Sequence, residues 1–397
     1  MADSAPELQR ALLADFEFEI YGRGLAGELP RLPISTDGLQ ARAREVLSAE
    51  AYGYVAGGAG AERTMHANIE ALERRKIVPR MLRDVSAREL STTVLGTPMA
   101  APVMLAPVGV QSIIHAEAEL ASARAAGALG VPFIFSTAAS RSIEQVAEAM
   151  GQAHRWYQLY WPNDRELAVS FLARAEQASY EAVVVTLDTW LLGWRPRDLQ
   201  HAYLPFLKGE GVANYFSDPV FRAALARTPE EDPAAAIGHW TQQFANPSVT
   251  WADLPWLREQ TKLPILLKGI LDPDDARRAL DAGVDGLIVS NHGGRQVDGA
   301  IGALDALAPV RAAVGSELPV LFDSGIRTGA DVFKAVALGA NAVCLGRPFA
   351  WGLALGGQAG VEQVLRCLLA EFDLTLSLSG CTSAEELTAE ALAAAGR

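Results

Sequence analysis

The chain has 397 residues, half of them hydrophobic and a fifth charged, enough for one large globular domain or two ordinary ones. Its 34 Lys and Arg against 47 Asp and Glu leave a net charge of −13, which argues against general nucleic-acid binding and means that an anionic ligand must be met by a local cluster of cations. No run approaches the ~18 apolar residues of a membrane span, Met1–Arg10 holds no apolar signal core, and Cys344, Cys367 and Cys381 suit reduced thiols in a cytoplasmic protein, with neither a disulfide framework nor a metal site.

Residues 1–100 precede any repeating pattern and are expected to form a helical extension. Phe16–Tyr21 alternates apolar and acidic residues. Leu39–Tyr54 has helical spacing and is ended by Ala56-Gly57-Gly58-Ala59-Gly60; a second helix is expected over Ala61–Arg75, with Tyr54 at the break between the two. From residue 100 a strand-then-helix rhythm begins. The short apolar runs are Pro102–Pro107, Val131–Ser136, Trp156–Trp161, Ala182–Leu187, Pro264–Lys268, Asp285–Ser290, Pro319–Asp323 and Ala342–Gly346. Helical stretches follow at Ala116–Leu129, Ser142–Met150, Asp164–Ala178, Pro273–Ala282 and Gly329–Leu338. Eight short buried runs separated by helices predict an α/β fold of the closed parallel type, a (β/α)8 TIM barrel. One domain is expected over 1–397, with the barrel at 101–372 and a tail at 373–397.

One interval breaks the rhythm. Asp188–Leu263 is far longer than an ordinary connection and is rich in proline and aromatic residues. An excursion after the fourth strand of a barrel lies on the face that carries active sites, so 189–250 is either a lid or a passive surface insertion.

Residues at the C-terminal ends of barrel strands converge on one place. Here they are Ala106-Pro107-Val108-Gly109, Ser136, Gln158 and Tyr160, Thr186 and Asp188, Lys268, Ser290 to Arg295, Asp323 to Arg327, and Gly346-Arg347. Gly325, Arg327, Gly346 and Arg347 follow strands seven and eight, where such barrels commonly bind phosphate. A ring system attached to that phosphate would cross the barrel mouth and meet Gln158, Thr186 and Ser290. Lys268, a cation on a buried strand, needs an anion; a flavin would supply one on reduction, and a neighbouring carboxylate is the alternative. Gly109 either leaves room beside such a ring or serves turn geometry alone. After strand six, His292 is the side chain suited to moving a proton near neutral pH, and Arg295 offers a planar fork for a carboxylate or phosphate.

Ser290-Asn291-His292-Gly293-Gly294-Arg295-Gln296 resembles the active-site signature of the FMN-dependent α-hydroxy-acid oxidase and dehydrogenase family. Tyr54–Gly60, Thr186–Trp190, Gly193–Leu199, Asn246–Trp251 and Phe322–Asp331 are similar to its lactate 2-monooxygenase branch. The resemblance implies FMN as cofactor and oxidation of a short L-2-hydroxy acid, L-lactate above all, with O2 as acceptor. In the monooxygenase branch the retained keto acid is decarboxylated to acetate, CO2 and water. The alternatives are an oxidase that releases keto acid and H2O2, and a dehydrogenase with another acceptor. The resemblance makes His292 the base, Asp188 its carboxylate partner, Arg195 and Arg295 the substrate carboxylate ligands with Tyr54, Tyr160 a neighbour of the substrate oxygen, and Lys268 the stabiliser of reduced flavin. It also implies a homotetramer or homo-octamer.

Overall fold

The computed structural model describes residues 13–316 and 318–393; the reading of Met1–Arg10 and the end of the tail lie outside them. Eight parallel strands close into a barrel: β1 (Val103–Leu105), β2 (Phe133–Ser136), β3 (Arg155–Leu159), β4 (Val183–Thr186), β5 (Ile265–Ile270), β6 (Gly286–Val289), β7 (Val320–Phe322) and β8 (Ala342–Leu345), with β8 pairing back onto β1. Each expected run overlaps one of them, with β3 starting one residue earlier and β5 ending two residues later than expected, so the fold is a TIM barrel.

Side-chain alternation explains how the barrel presents a site. Val103 and Leu105, Phe133 and Phe135, Val183 and Val185 point outward and join the main core under the helices. Met104, Ile134, Trp156, Val184, Leu266, Ile288, Leu321 and Cys344 point inward and form a separate core inside the barrel. Adding one period of two to each inward residue reaches Ala106, Ser136, Gln158, Thr186, Lys268, Ser290, Asp323 and Gly346. The upper inside layer is thus mostly polar, on an otherwise apolar plug. The opposite end is stoppered by an antiparallel hairpin, Thr92–Val94 and Thr97–Met99, whose Val94 and Met99 join the inner core. Trp156 Nε1 donates to Thr97 Oγ1 at 2.9 Å, so the largest inner side chain is satisfied without water.

The extension is helical, at Asp15–Leu25, Thr36–Val46, Ala49–Ala56 and Arg63–Arg74. The apolar/acidic alternation at Phe16–Tyr21 is therefore part of a helix. The expected helix over Leu39–Tyr54 is two helices, because Ser48 caps the second by accepting from Ala51 N at 3.2 Å. The last helix runs Arg347–Leu378, so the boundary drawn at 372 falls inside it. Gly356 and Gly357 kink it, which breaks the apolar period that would have shown it in the sequence. Glu386–Ala393 is 3-10 turns and irregular chain.

The insertion after β4 is built, not loose. It carries helices at Pro196–Gln200, Ala213–Phe216, Pro219–Ala223 and Pro233–Phe244. Phe206, Trp240 and Phe244 stack in a cluster with centroids 4.8–5.5 Å apart. Asn214 pins it to the barrel, donating to the carbonyls of Ser136 and Thr137 and accepting from Ile143 N. Among the described residues no helix is long and apolar enough to cross a membrane, and no cluster of His, Cys, Asp and Glu could hold a metal.

Candidate active site

A cavity opens at the C-terminal end of the barrel. Its lining brings together Tyr54, Ala106, Pro107, Val108, Gly109, Ser136, Tyr160, Arg195, Lys268, His292, Arg295, Asp323, Gly325, Arg327, Gly346 and Arg347. Gln158, Thr186 and Ser290 lie in the buried layer behind this lining, and Asp188 stands behind His292.

His292 Nδ1 is 2.7 Å from Asp188 Oδ1. Thr189 Oγ1 donates to the same carboxylate oxygen at 3.0 Å and is 3.1 Å from Nδ1. The carboxylate fixes the tautomer: Nδ1 carries the hydrogen, and Nε2 is left as the basic atom. Burial alone would raise the Asp188 carboxyl, but the Lys268 charge and His292 outweigh it and hold it at about 2. Burial pushes the His292 imidazolium below its ordinary value, with Asp188 opposing. The pair therefore rests as carboxylate and neutral imidazole. The loop is tightly set: His292 has φ +58°, and its N–H donates to Ser290 Oγ at 3.0 Å.

The acid limb of kcat/KM reports this group in the free enzyme. A base is lost as pH falls through its folded pKa, so the limb is expected below the ~6.5 of an unperturbed histidine. Asp188→Asn removes the charge that raises His292, so the limb should move lower still while the maximal rate falls. A pH profile with the wild-type limb above that range, or an Asn variant with its limb moved upward, would overturn this assignment.

Cations gather as the net charge required. Arg195 Nε and Nη2 donate to Arg295 O (3.0 Å) and Gln296 Oε1 (2.6 Å). Arg295 Nη1 donates to the carbonyls of Tyr54 (2.5 Å) and Gly57 (2.9 Å), and its guanidinium lies 5.1 Å over the Tyr54 ring. Burial, then the neighbouring Arg195 charge, lowers Arg295 to about 10. Two guanidinium groups that destabilise each other in one cavity form a site for an anion. Tyr160 is pushed up to about 12 by burial and by Asp188, so its hydroxyl keeps its proton.

Lys268 Nζ lies 3.2 Å from Asp323 Oδ2 and 3.9 Å from Asp188 Oδ2, and donates to Ser290 Oγ at 2.9 Å. The carboxylate partner weighed as an alternative is thus present. Burial works against the lysine's charge, but Asp323 and Asp188 raise its pKa and keep it protonated. Arg347 differs from a simple phosphate ligand: its Nε, Nη1 and Nη2 donate to the carbonyls of Val55, Gly293 and Gly57, bracing the catalytic loop against the extension. Arg327 Nη1 donates only to its neighbour Ile326 O.

The residues fit a flavin mononucleotide. Gln158 Nε2 and Thr186 Oγ1 are buried without a hydrogen-bond partner, side by side in the upper layer where a polar ring edge would lie. The helix Arg347–Leu378 begins at Gly346 with no side-chain cap, and its first turn lines the cavity, an anion site of the kind a phosphate takes. Gly109 has a different cause. A Cβ there would fall 2.3 Å from Ala138 O, which also accepts from Val110 N at 2.8 Å. Turn geometry accounts for that glycine.

A family model described as FMN-dependent dehydrogenase matches residues 43–394. The chain belongs to that family. The enzyme is 47% identical over 371 residues to an FMN-dependent alpha-hydroxy acid dehydrogenase of Penicillium citrinum, covering 92% of each chain. It is 45% identical over 355 residues to an L-lactate oxidase of Lysinibacillus sphaericus, covering 89% of this chain and 91% of that one. A mandelate oxidase crystal structure superposes with a TM-score of 0.80 at 41% identity, covering 91% and 98%. This is an FMN-dependent 2-hydroxy-acid oxidoreductase.

Sequence reasoning singled out no role for several residues of the site. Thr189 and Gln296 stood in stretches already picked out, beside Asp188 and Arg295. Ser324 sits among the strand-seven residues; its Oγ accepts from Asn291 N and Gly293 N. Leu192, Phe206 and Phe244 wall the cavity from the insertion, and Asn68 pairs with Asn291 through two amide hydrogen bonds of 2.8 and 2.7 Å. No local signal marks these last four.

Proposed function

We propose that the enzyme oxidises L-lactate with O2 as acceptor, and that pyruvate is retained until peroxide decarboxylates it to acetate, CO2 and water. The observation that supports the oxidation is a neutral base and two guanidinium groups facing one cavity. Arg195 and Arg295 bind the substrate carboxylate, with Tyr54 beside them. His292 Nε2 takes the substrate proton, and Asp188 stabilises the imidazolium that results. Tyr160, still protonated, donates to the substrate oxygen. Bound FMN would supply the two-electron acceptor and the route to O2. Gln158, Thr186 and Ser290 would meet its ring, Lys268 would offer it a fixed cation, and Arg327 with the Gly346 helix start would hold its phosphate; Ala106, Pro107, Val108, Gly109, Ser136, Asp323, Gly325 and Arg347 would complete the seat.

The short substrate is argued from the wall. Leu192, Phe206, Phe244 and Tyr160 enclose the apolar side with rings fixed by their own stacking, which suits a small side chain. The same packed cover favours retention of the keto acid. An oxidase releasing pyruvate and H2O2 is the second reading; the turn explanation of Gly109 removes one argument for the monooxygenase, and one relative carries the name L-lactate oxidase.

Aerobic turnover of L-lactate, with acetate, pyruvate and peroxide measured together, separates these readings. Acetate is expected to dominate, with little free peroxide. Stoichiometric pyruvate and peroxide would leave the oxidase. Slow reaction with O2 beside fast reduction of an artificial acceptor would leave a dehydrogenase.

A further inference from the structure

We propose that Gln296 is a positioning residue that straps the mouth of the insertion to the catalytic loop and so sets Asp188 and Arg195 together. This rests on the reading of His292 as base and Arg195 as carboxylate ligand.

All four hydrogen bonds of the Gln296 side chain go to one segment, residues 188–195. Nε2 donates to Asp188 O at 2.7 Å and to Leu191 O at 2.9 Å. Oε1 accepts from Arg195 Nη2 at 2.6 Å and from Gly193 N at 3.3 Å. A primary amide can donate two and accept two, so the side chain is saturated. No other residue type of that length could supply both halves: glutamate lacks the donors, and methionine lacks both.

The seating is close. A Cβ on Gly193 would fall 2.5 Å from Arg295 O and 2.9 Å from both Gln296 Cα and Gln296 O. Only a glycine lets this backbone lie flat on the loop. The middle of the segment needs such fastening: Leu191 is 63% exposed and Trp194 is 73% exposed, whereas Thr189 and Arg195 towards its two ends are buried. Other ties of the segment run from Arg195 Nε to Arg295 O and from Gly60 N to Trp194 O at 2.8 Å, beside those of Asp188 and Thr189 to His292.

The strap has two consequences for the reaction. It holds the Asp188 backbone, and so aims the carboxylate at His292 Nδ1. It also takes Nη2 of Arg195, while Nε is taken by Arg295 O, which orients the guanidinium so that the rest of it faces the cavity. Asp188 comes from the end of β4 and His292 from the loop after β6, so their register depends on a cross-link between the two segments. Small displacements of such groups are costly in rate.

The test uses the FMN-loaded enzyme and its Gln296→Met variant. Amide hydrogen exchange is expected to quicken over residues 189–195 and to stay unchanged in the barrel strands, with FMN content unchanged. Anaerobic flavin reduction by L-lactate should slow by roughly ten- to a hundredfold. The acid limb of kcat/KM should move down, because Asp188 raises His292 less from a loosened position. Reduction within about twofold of wild type, or exchange quickened equally in the strands, would overturn the proposal. If the Met variant does not fold, Gln296→Glu keeps the acceptor facing Arg195 and Gly193 but cannot donate to Asp188 O and Leu191 O. It should show the same local exchange, and normal exchange over residues 189–195 would overturn the strap. If no 2-hydroxy acid reduces wild-type flavin, the parent reading fails, and the exchange comparison still decides whether Gln296 is the strap.

Discussion

His292→Gln is expected to keep its FMN and to lose flavin reduction by the hydroxy acid by ~10²–10⁴, the usual range for removing a general base. Glutamine preserves a polar side chain of similar reach, and the flavin seat rests on other residues, so cofactor binding should survive. The loss follows from three features of the geometry. Asp188 Oδ1 at 2.7 Å assigns the hydrogen to Nδ1, so Nε2 is the atom that accepts. Burial keeps the ring neutral before reaction. The carboxylate, held at about 2, remains ionised and stabilises the imidazolium afterwards. Glutamine offers no comparable basic atom. Stopped-flow reduction under anaerobic conditions checks this, with the bound flavin quantified first; reduction near the wild-type rate would remove His292 from the mechanism.

The second large effect belongs to the guanidinium pair. Arg195→Met and Arg295→Met should each weaken substrate binding and slow reduction. A charged hydrogen bond contributes roughly 1.5–3 kcal/mol, a factor of about 10 to 150 per arginine. The two variants should differ in their side effects. Arg295→Met also removes the guanidinium donor from the Tyr54 carbonyl and leaves the Gly57 carbonyl to Arg347 alone, so it should lower the melting temperature. Arg195→Met strips a partner from Gln296 Oε1 and should loosen the mouth segment. The specific check is the charge of the substrate. Wild type should strongly prefer the free acid over a neutral hydroxy ester, and each variant should lose most of that preference. Equal oxidation of acid and ester by wild type would show that no carboxylate clamp exists.

Much of this site was legible from short-range pattern. A barrel strand is a local object: a few apolar residues buried on both sides, alternating inward and outward. Polar residues two positions beyond the inward set, such as Gln158, Thr186, Lys268 and Ser290, stand out against that pattern without any knowledge of neighbours. The glycine-rich stretch after β6 is a contiguous motif, and it carried the resemblance to the family. The sequence by itself therefore determined the barrel, the upper layer and the family.

Tertiary structure alone decided which groups meet. Asp188 and His292 are 104 residues apart, and Asn68 and Asn291 are 223 apart; pairing of β4, β5 and β6 brings the first pair to hydrogen-bond distance, and packing of the extension on the loop after β6 brings the second. The insertion looked like a candidate lid because its length and composition are visible. That it is a packed body with a ring cluster facing the cavity depends on Phe206 meeting Trp240 and Phe244, a pairing no local propensity specifies. Gly109 is open in the sequence to two explanations, room for a ring or turn geometry, and the close approach of Ala138 O, a contact between two different strand ends, accounts for the glycine by itself. Arg347 stands out in the sequence as a phosphate ligand, and its Nε, Nη1 and Nη2 also each reach a backbone carbonyl, a set of contacts that forms only when the extension packs onto the catalytic loop. Residue type and period set which side chains can do chemistry. Long-range packing sets which atoms they reach, and so which proton, charge and cofactor edge each one serves.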